Sequence, residues 1–148
     1  MVSDLEIKSR ILETAKENFF NNGFSKTTME EFAQSMGMSK KTIYKFFPSK
    51  DDLIREITHE KLHAIHSQCE SIRNDESIEF VDRIKLTINF LTSRMQEMKP
   101  LFALDIQRTM PELWKEVEDF RNEKVKNDFA LMITKGVELG IFRKDVNV

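Results

Sequence analysis

The chain has 148 residues, a single cysteine and a formal net charge of −2. A chain of this length hides about 70% of its unfolded surface, enough for one medium domain or two small ones without disulfides, and the lone Cys69 excludes an internal bridge. No apolar run reaches the roughly 20 residues of a membrane span, the N-terminus MVSDLEIKSR has no apolar signal core, and 4 Gly and 3 Pro among abundant Glu, Lys, Met, Leu and Phe suit an all-α protein of a reducing cytoplasm.

The charge is unevenly spread. Residues 1–50 carry eight Lys/Arg against six Asp/Glu, and no acid falls between Phe32 and Lys50, where Lys40, Lys41, Lys45 and Lys50 lie. A phosphate backbone needs one basic face, not a basic protein.

The spacing of Ile7, Ile11, Ala15 and Phe19 predicts a first helix over about residues 4–21, closed by Gly23 as a left-handed cap. Thr27 or Thr28 caps a second helix, with Glu30 or Glu31 completing a capping box, and Gly37 ends it after Met36. Ser39 caps a short third helix running to about Lys45. Pro48 prevents its continuation, and Ser49 caps a long fourth helix, with Asp52 at its third position, extending towards Ile72. A polar link over residues 74–77 follows. A fifth helix is expected over about residues 78–98, a sixth over 101–109 and a seventh over 112–139, with Gly140 as its cap.

The segment TTMEEFAQSMGMSKKTIYKFF places two short helices around a tight turn. Ala33 is the small residue that lets them cross closely, and Gly37 tolerates the positive φ of the turn. Phe32, Met36, Met38, Ile43 and Phe46 form the apolar set facing the first helix. Ser39, Lys40, Lys41, Thr42, Tyr44 and Lys45 remain outward, and all six can donate hydrogen bonds, which suits a helix read into the major groove. Lys40 and Lys41 in the first turn of the third helix, and Lys50 in the first turn of the fourth, oppose the helix dipole by a few tenths to about 1 kcal/mol. That placement favours stability only when an anion such as phosphate arrives; solvated lysines are the plainer alternative.

The stretch FFNNGFSKTTMEEFAQSMGMSKKTIYKFFPSKDDL resembles the DNA-binding domain of the TetR family of repressors, over about residues 7–57. The likeness rests on a Gly-Phe pair before Thr-Thr, a Glu-x-Ala-like second helix, the Gly turn, and Ile-Tyr-x-x-Phe followed by Ser-Lys-x-x-Leu. It implies a three-helix helix-turn-helix domain (residues 1–50) followed by a helical ligand-binding and dimerisation domain (residues 51–148). DNA contacts are expected from Thr27 to Lys50. Thr28 and Tyr44 would touch phosphates and Lys50 would anchor the backbone, while Lys40, Lys41 and Thr42 would approach bases beside Ser39 and Lys45. Members of the family continue past a Gly-x-Phe-Arg stretch, here Gly140-Ile141-Phe142-Arg143, with two further helices that form the dimer interface. The regulatory part is accordingly expected to be incomplete, with a homodimer formed at full length.

The family also holds a ligand pocket in its helical part. Ile65, Phe90, Leu91, Met95, Met98, Phe102, Met110, Trp114, Phe129 and Met132 are the candidates for lining one around a small apolar effector of unknown identity; plain core packing explains the same residue types. His59, His63 and His66 share a face of the fourth helix. Two histidines four apart can share a metal, but three ligands from one straight helix cannot surround it, and no metal or other cofactor is expected. Cys69 lacks a basic surround and reads as inert.

No phosphate loop, nucleophile elbow or Cys-x-x-Cys is present, and the histidines sit together on one helix, so an enzyme is not expected. The sequence reads as a ligand-responsive repressor whose partners are an operator in double-stranded DNA, an effector and a second copy, with no membrane. The alternatives are a protein-interaction module on the same fold and a metal-responsive regulator acting through His59 and His63.

Overall fold

The computed structural model describes residues 3–97 and 100–145. These are all helix, turn and link, with no strand among them. The helices are α1 (Asp4–Asn22), α2 (Met29–Ser35), α3 (Lys40–Phe46), α4 (Lys50–Asn74), α5 (Phe80–Glu97), α6 (Pro100–Thr109), α7 (Pro111–Phe120) and α8 (Lys126–Glu138), with a π-helical turn over Arg121–Val125 joining the last two.

Local chemistry fixes the ends. Ser3 and Glu6 form a capping box at α1, and Thr28 and Glu31 form one at α2. Thr28 is thus the cap, while Thr27 is buried and its hydroxyl donates to the Gly23 carbonyl at 3.1 Å. Gly23 does not adopt the left-handed helical conformation: φ is 87° but ψ is 141°. The chain therefore leaves α1 extended, after the Gly23 amide has donated to the Phe19 carbonyl. Ser49 caps α4 by accepting from the Asp52 amide at 3.0 Å.

One start and one interior depart from the periodicity. The fifth helix begins at Phe80 rather than Ile78, because the Asp75 carboxylate accepts from the Ser77 amide (3.0 Å) and hydroxyl (2.6 Å) and holds a turn there. Those same bonds depress the Asp75 pKa. The expected seventh helix is divided by the π turn, whose extra residue rotates the following face. Arg121–Lys124 are all exposed and carry no apolar marker of that change.

The helices form two compact units, one made of Met1–Lys61 with Met98–Trp114, the other of Leu62–Glu97 with Lys115–Val148; α4 contributes to both. The first unit has a continuous apolar core. Phe19 lies at its centre, its ring edge-on to Phe24 at 5.8 Å and tilted to Phe32 at 5.6 Å. Ile11, Ile43, Leu53, Ile54 and Ile57 are fully buried around it. Phe102 and Ile106 of α6, Met110 at the junction and Leu113 of α7 join the same core, and Phe102 packs on Phe20 with ring centroids 4.3 Å apart.

The second unit is held differently. Among its described residues Cys69, Thr87, Met132 and Gly136 are buried, whereas Val81, Leu86, Ile88, Leu131 and Leu139 are exposed. Arg73 of α4 pairs with Asp128 of α8, and Arg83 donates to the Arg73 carbonyl at 2.9 Å. Gly136 admits the Phe142 ring: a Cβ there would lie 2.3 Å from it. Gly140 turns the chain back with φ 71°, so that the amides of Ile141 and Phe142 both donate to the Gly136 carbonyl.

Candidate nucleic-acid interface

The α2–α3 pair is built around its turn. Ala33 is buried where the helices cross, and Gly37 has φ 64°. The amides of Met36, Gly37 and Met38 donate to the carbonyls of Phe32, Gln34 and Ala33, so the turn leaves none of them unmet. Arg10 of α1 reaches the Met36 carbonyl at 3.4 Å. Phe32, Met36 and Ile43 are buried, Met38 and Phe46 half-buried. Phe47, outside the expected apolar set, is buried, because its extended backbone (φ −134°, ψ 100°) ends the helix and turns the ring inward.

The outward face of α3 presents the expected groups. Ser39 accepts from the Thr42 amide at 3.1 Å, and the two hydroxyls lie 2.9 Å apart. Lys40, Lys41, Tyr44 and Lys45 are exposed, Tyr44 at 41%. Thr28 is exposed as well, although its hydroxyl already donates to Glu31 at 2.8 Å. Thr27 lies inside the fold. Lys50 is half-buried, with Nζ 4.3 Å from the Phe24 ring centroid and 5.9 Å from that of Phe19. Burial pulls its pKa below the usual lysine range, against the opposing charges of Asp105, Asp51 and Glu31.

The sequence between Phe32 and Lys50 lacks acids, but the fold supplies them from elsewhere. Glu30 of α2 pairs with Lys40 at 3.1 Å, and Asp4 of α1 pairs with Lys45 at 2.8 Å. Asp105 of α6 lies within the field of Lys50 and accepts from the Ser25 amide at 2.6 Å and from the Ser25 hydroxyl. Of the three lysines of α3, Lys41 is the one that makes no ion pair with a described residue. Separations of 10 and 41 residues carry no periodic signal, so sequence reasoning could not find these acids.

The residues expected around an effector are divided between the units. In the first, Phe102 and Met110 are core and Trp114 packs half-buried against it, its indole Nε1 without a hydrogen-bond partner among the described residues. In the second, Met132 is buried, Ile65, Phe90, Leu91 and Phe129 are half-buried, and Met95 is 66% exposed. Met98 lies outside the described residues. His66 faces Asp128 at 3.7 Å and the edge of Phe120, while His59 and His63 are exposed. Among the described residues no group of His, Cys, Asp or Glu has the arrangement of a metal site, and no helix is long and apolar enough to cross a membrane.

Comparison with known proteins bears on this surface. Residues 11–57 match the model of the bacterial regulatory proteins of the tetR family. The HTH-type transcriptional regulator YvaF of Bacillus subtilis is 23% identical over 124 residues, covering 84% of this chain; the chain spans 63% of that relative's length. The fold is shared with the TetR family regulator PfmR of Thermus thermophilus (TM-score 0.73, 24% identity, 93% of this chain and 75% of that one). It is shared also with FadR of Bacillus subtilis, solved in complex with stearoyl-CoA (TM-score 0.70, 19% identity, 94% and 75%).

Proposed function

The chain belongs, through residues 11–57, to the tetR family of bacterial regulatory proteins, and from that premise we propose that it is a ligand-responsive repressor that binds an operator in double-stranded DNA as a homodimer. The observation that carries the reading is the exposed outer face of α3, where Lys41 makes no ion pair with a described residue and stands in the first turn of a helix whose dipole disfavours it. Phosphate and base edges are the anions and acceptors that such a face receives.

Lys40, Lys41 and Thr42 approach bases, while Thr28, Ser39, Tyr44, Lys45 and Lys50 engage the backbone. Thr27 is left to packing by its burial. A single short helix spans few base pairs, so two are needed, about 34–36 Å apart on successive turns of the duplex. An apolar effector acts through α4, which begins at Lys50 and continues into the second unit. The stearoyl-CoA of FadR favours an effector with a long acyl chain. Effector and DNA then weaken each other's binding by the same factor.

The test is retention of duplex DNA, selected by the chain from random sequence, at two salt concentrations. Affinity falling steeply with salt supports the reading; weak binding indifferent to salt favours a protein-interaction module. Lys41→Ala is expected to relax preference at one operator position, at about 1–3 kcal/mol on the correct base, and an unchanged selected motif would move base readout to Lys40.

A further inference from the structure

We infer that Asp4 and Glu30 are internal counter-ions of the DNA-reading surface, holding Lys45 and Lys40 in the DNA-free chain and giving them up to the duplex when the surface docks, Lys45 to phosphate and Lys40 to a base edge. The inference rests on the DNA reading above and concerns what tunes that binding. Three observations carry it. The first is geometric: the Lys45–Asp4 and Lys40–Glu30 pairs close at 2.8 and 3.1 Å, and both are solvent-exposed, with half or more of each side chain accessible. Pairs of this kind are weak, screened by salt and readily displaced.

The second is that neither acid is needed to cap its helix. Ser3 with Glu6 closes the start of α1, and Thr28 with Glu31 closes the start of α2; Asp4 and Glu30 stand beside those boxes with their carboxylates turned to the lysines. The third is position. Lys40 and Lys45 flank the α3 face from opposite ends, and Lys41 between them has no acidic partner among the described residues. The unpaired lysine is therefore the first to meet a phosphate or base, and the two paired ones follow by exchange.

The exchange has a price in affinity and a benefit in release. When Lys45 or Lys40 moves to the duplex, its carboxylate stays behind near an anionic backbone. Fewer net positive charges are then presented to the duplex than the lysine count suggests, and non-specific binding is held down with them.

The experiment compares the full chain with its Asp4→Asn, Glu30→Gln and doubly substituted forms on one mixed-sequence 30-base-pair duplex, by fluorescence anisotropy from 50 to 200 mM salt. Asp119→Asn, which removes a charge paired with Lys115 on α7, is the control for overall charge. Each α1 or α2 substitution is expected to tighten binding about three- to tenfold at the low-salt end and to steepen the salt slope by up to about 0.9, with the control unchanged. A gain of affinity cannot arise from misfolding. Parent-like affinity and slope in the double variant, beside a parent that binds in a salt-dependent way, would overturn the inference alone, as would an equal gain in the control. A parent that shows no salt-dependent binding removes the DNA reading and this inference with it.

Discussion

The two units of the chain are stabilised by different means. The first closes an apolar core in which Ile11, Ile43, Leu53, Ile54 and Ile57 lose all contact with water. The second buries few apolar side chains, leaves Leu86, Ile88 and Leu131 exposed, and ties α4 to α8 through Arg73 and Asp128. Apolar burial scales with area and tolerates no rearrangement without loss, whereas a charged pair fixes direction more than it adds stability. The unit that carries α3 is thus the one built on an apolar core.

The largest expected contrast lies in truncations. Phe32→Ala, at 1% exposure in the first unit, should cost about 3–5 kcal/mol in urea unfolding. Leu131→Ala, at 58% exposure in the second, should stay within about 0.5 kcal/mol. Similar costs would erase the distinction between the units.

Next comes the ion pair. Asp128→Asn leaves the Arg73 guanidinium, 20% exposed, with a weaker partner, at an expected cost of about 1–3 kcal/mol by thermal unfolding. Its effect should be largely absorbed in an Arg73→Gln background; an additive loss would mean that Asp128 acts through something other than Arg73.

A smaller effect separates stability from binding within the first unit. Lys50 is charged and desolvated beside Phe24 and Phe19. Lys50→Met keeps the apolar stem and removes the charge, so the unfolding midpoint should hold or rise while the salt slope of DNA binding falls by about one. A marked drop in midpoint would show that the ammonium–ring contact dominates.

The smallest concerns Cys69. Burial, then Asp128, raise its thiol pKa against the lowering influence of Arg73. Because the folded pKa lies above the unfolded one, the thiol's contribution to stability is complete below the unfolded pKa and is lost as pH rises through the alkaline range. Native chain should react slowly with alkylating reagents at pH 8, and Cys69→Ala should flatten the decline in urea midpoint between pH 8 and 10. Rapid native alkylation would indicate an open second unit.

Much of the first unit was legible because its signals are local. Gly37, the Ser39 and Ser49 caps, the Thr28–Glu31 box and the α1 stripe each lie within a few residues of what they determine. Thr27 and Thr28 could not be told apart, since either hydroxyl fits a cap and only the bond to the Gly23 carbonyl draws Thr27 inward. Phe46 and Phe47 were likewise exchanged in part, because the chain leaves the helical period between them. The π turn, the docking of α6 beside α1 and the acids opposite Lys40 and Lys45 depend on long-range packing, for which hydrophobic spacing holds no information. The lysines of α3 and Lys50 were read from their own sequence neighbourhood, whereas their electrostatics are set by α1, α2 and α6.

The bond from Ser25 to Asp105 spans 80 residues of chain, and it has a consequence for how the protein is made. When the ribosome has released residues up to Lys61, the first three helices are synthesised but the faces that receive Phe102, Ile106 and Met110 are still bare. At about 5–20 residues per second, roughly 3–10 s pass before Leu113 follows. During that interval the nascent chain carries exposed apolar surface beside a loop with no anchor, a window in which a chaperone can engage it and in which premature termination yields a fragment prone to aggregate.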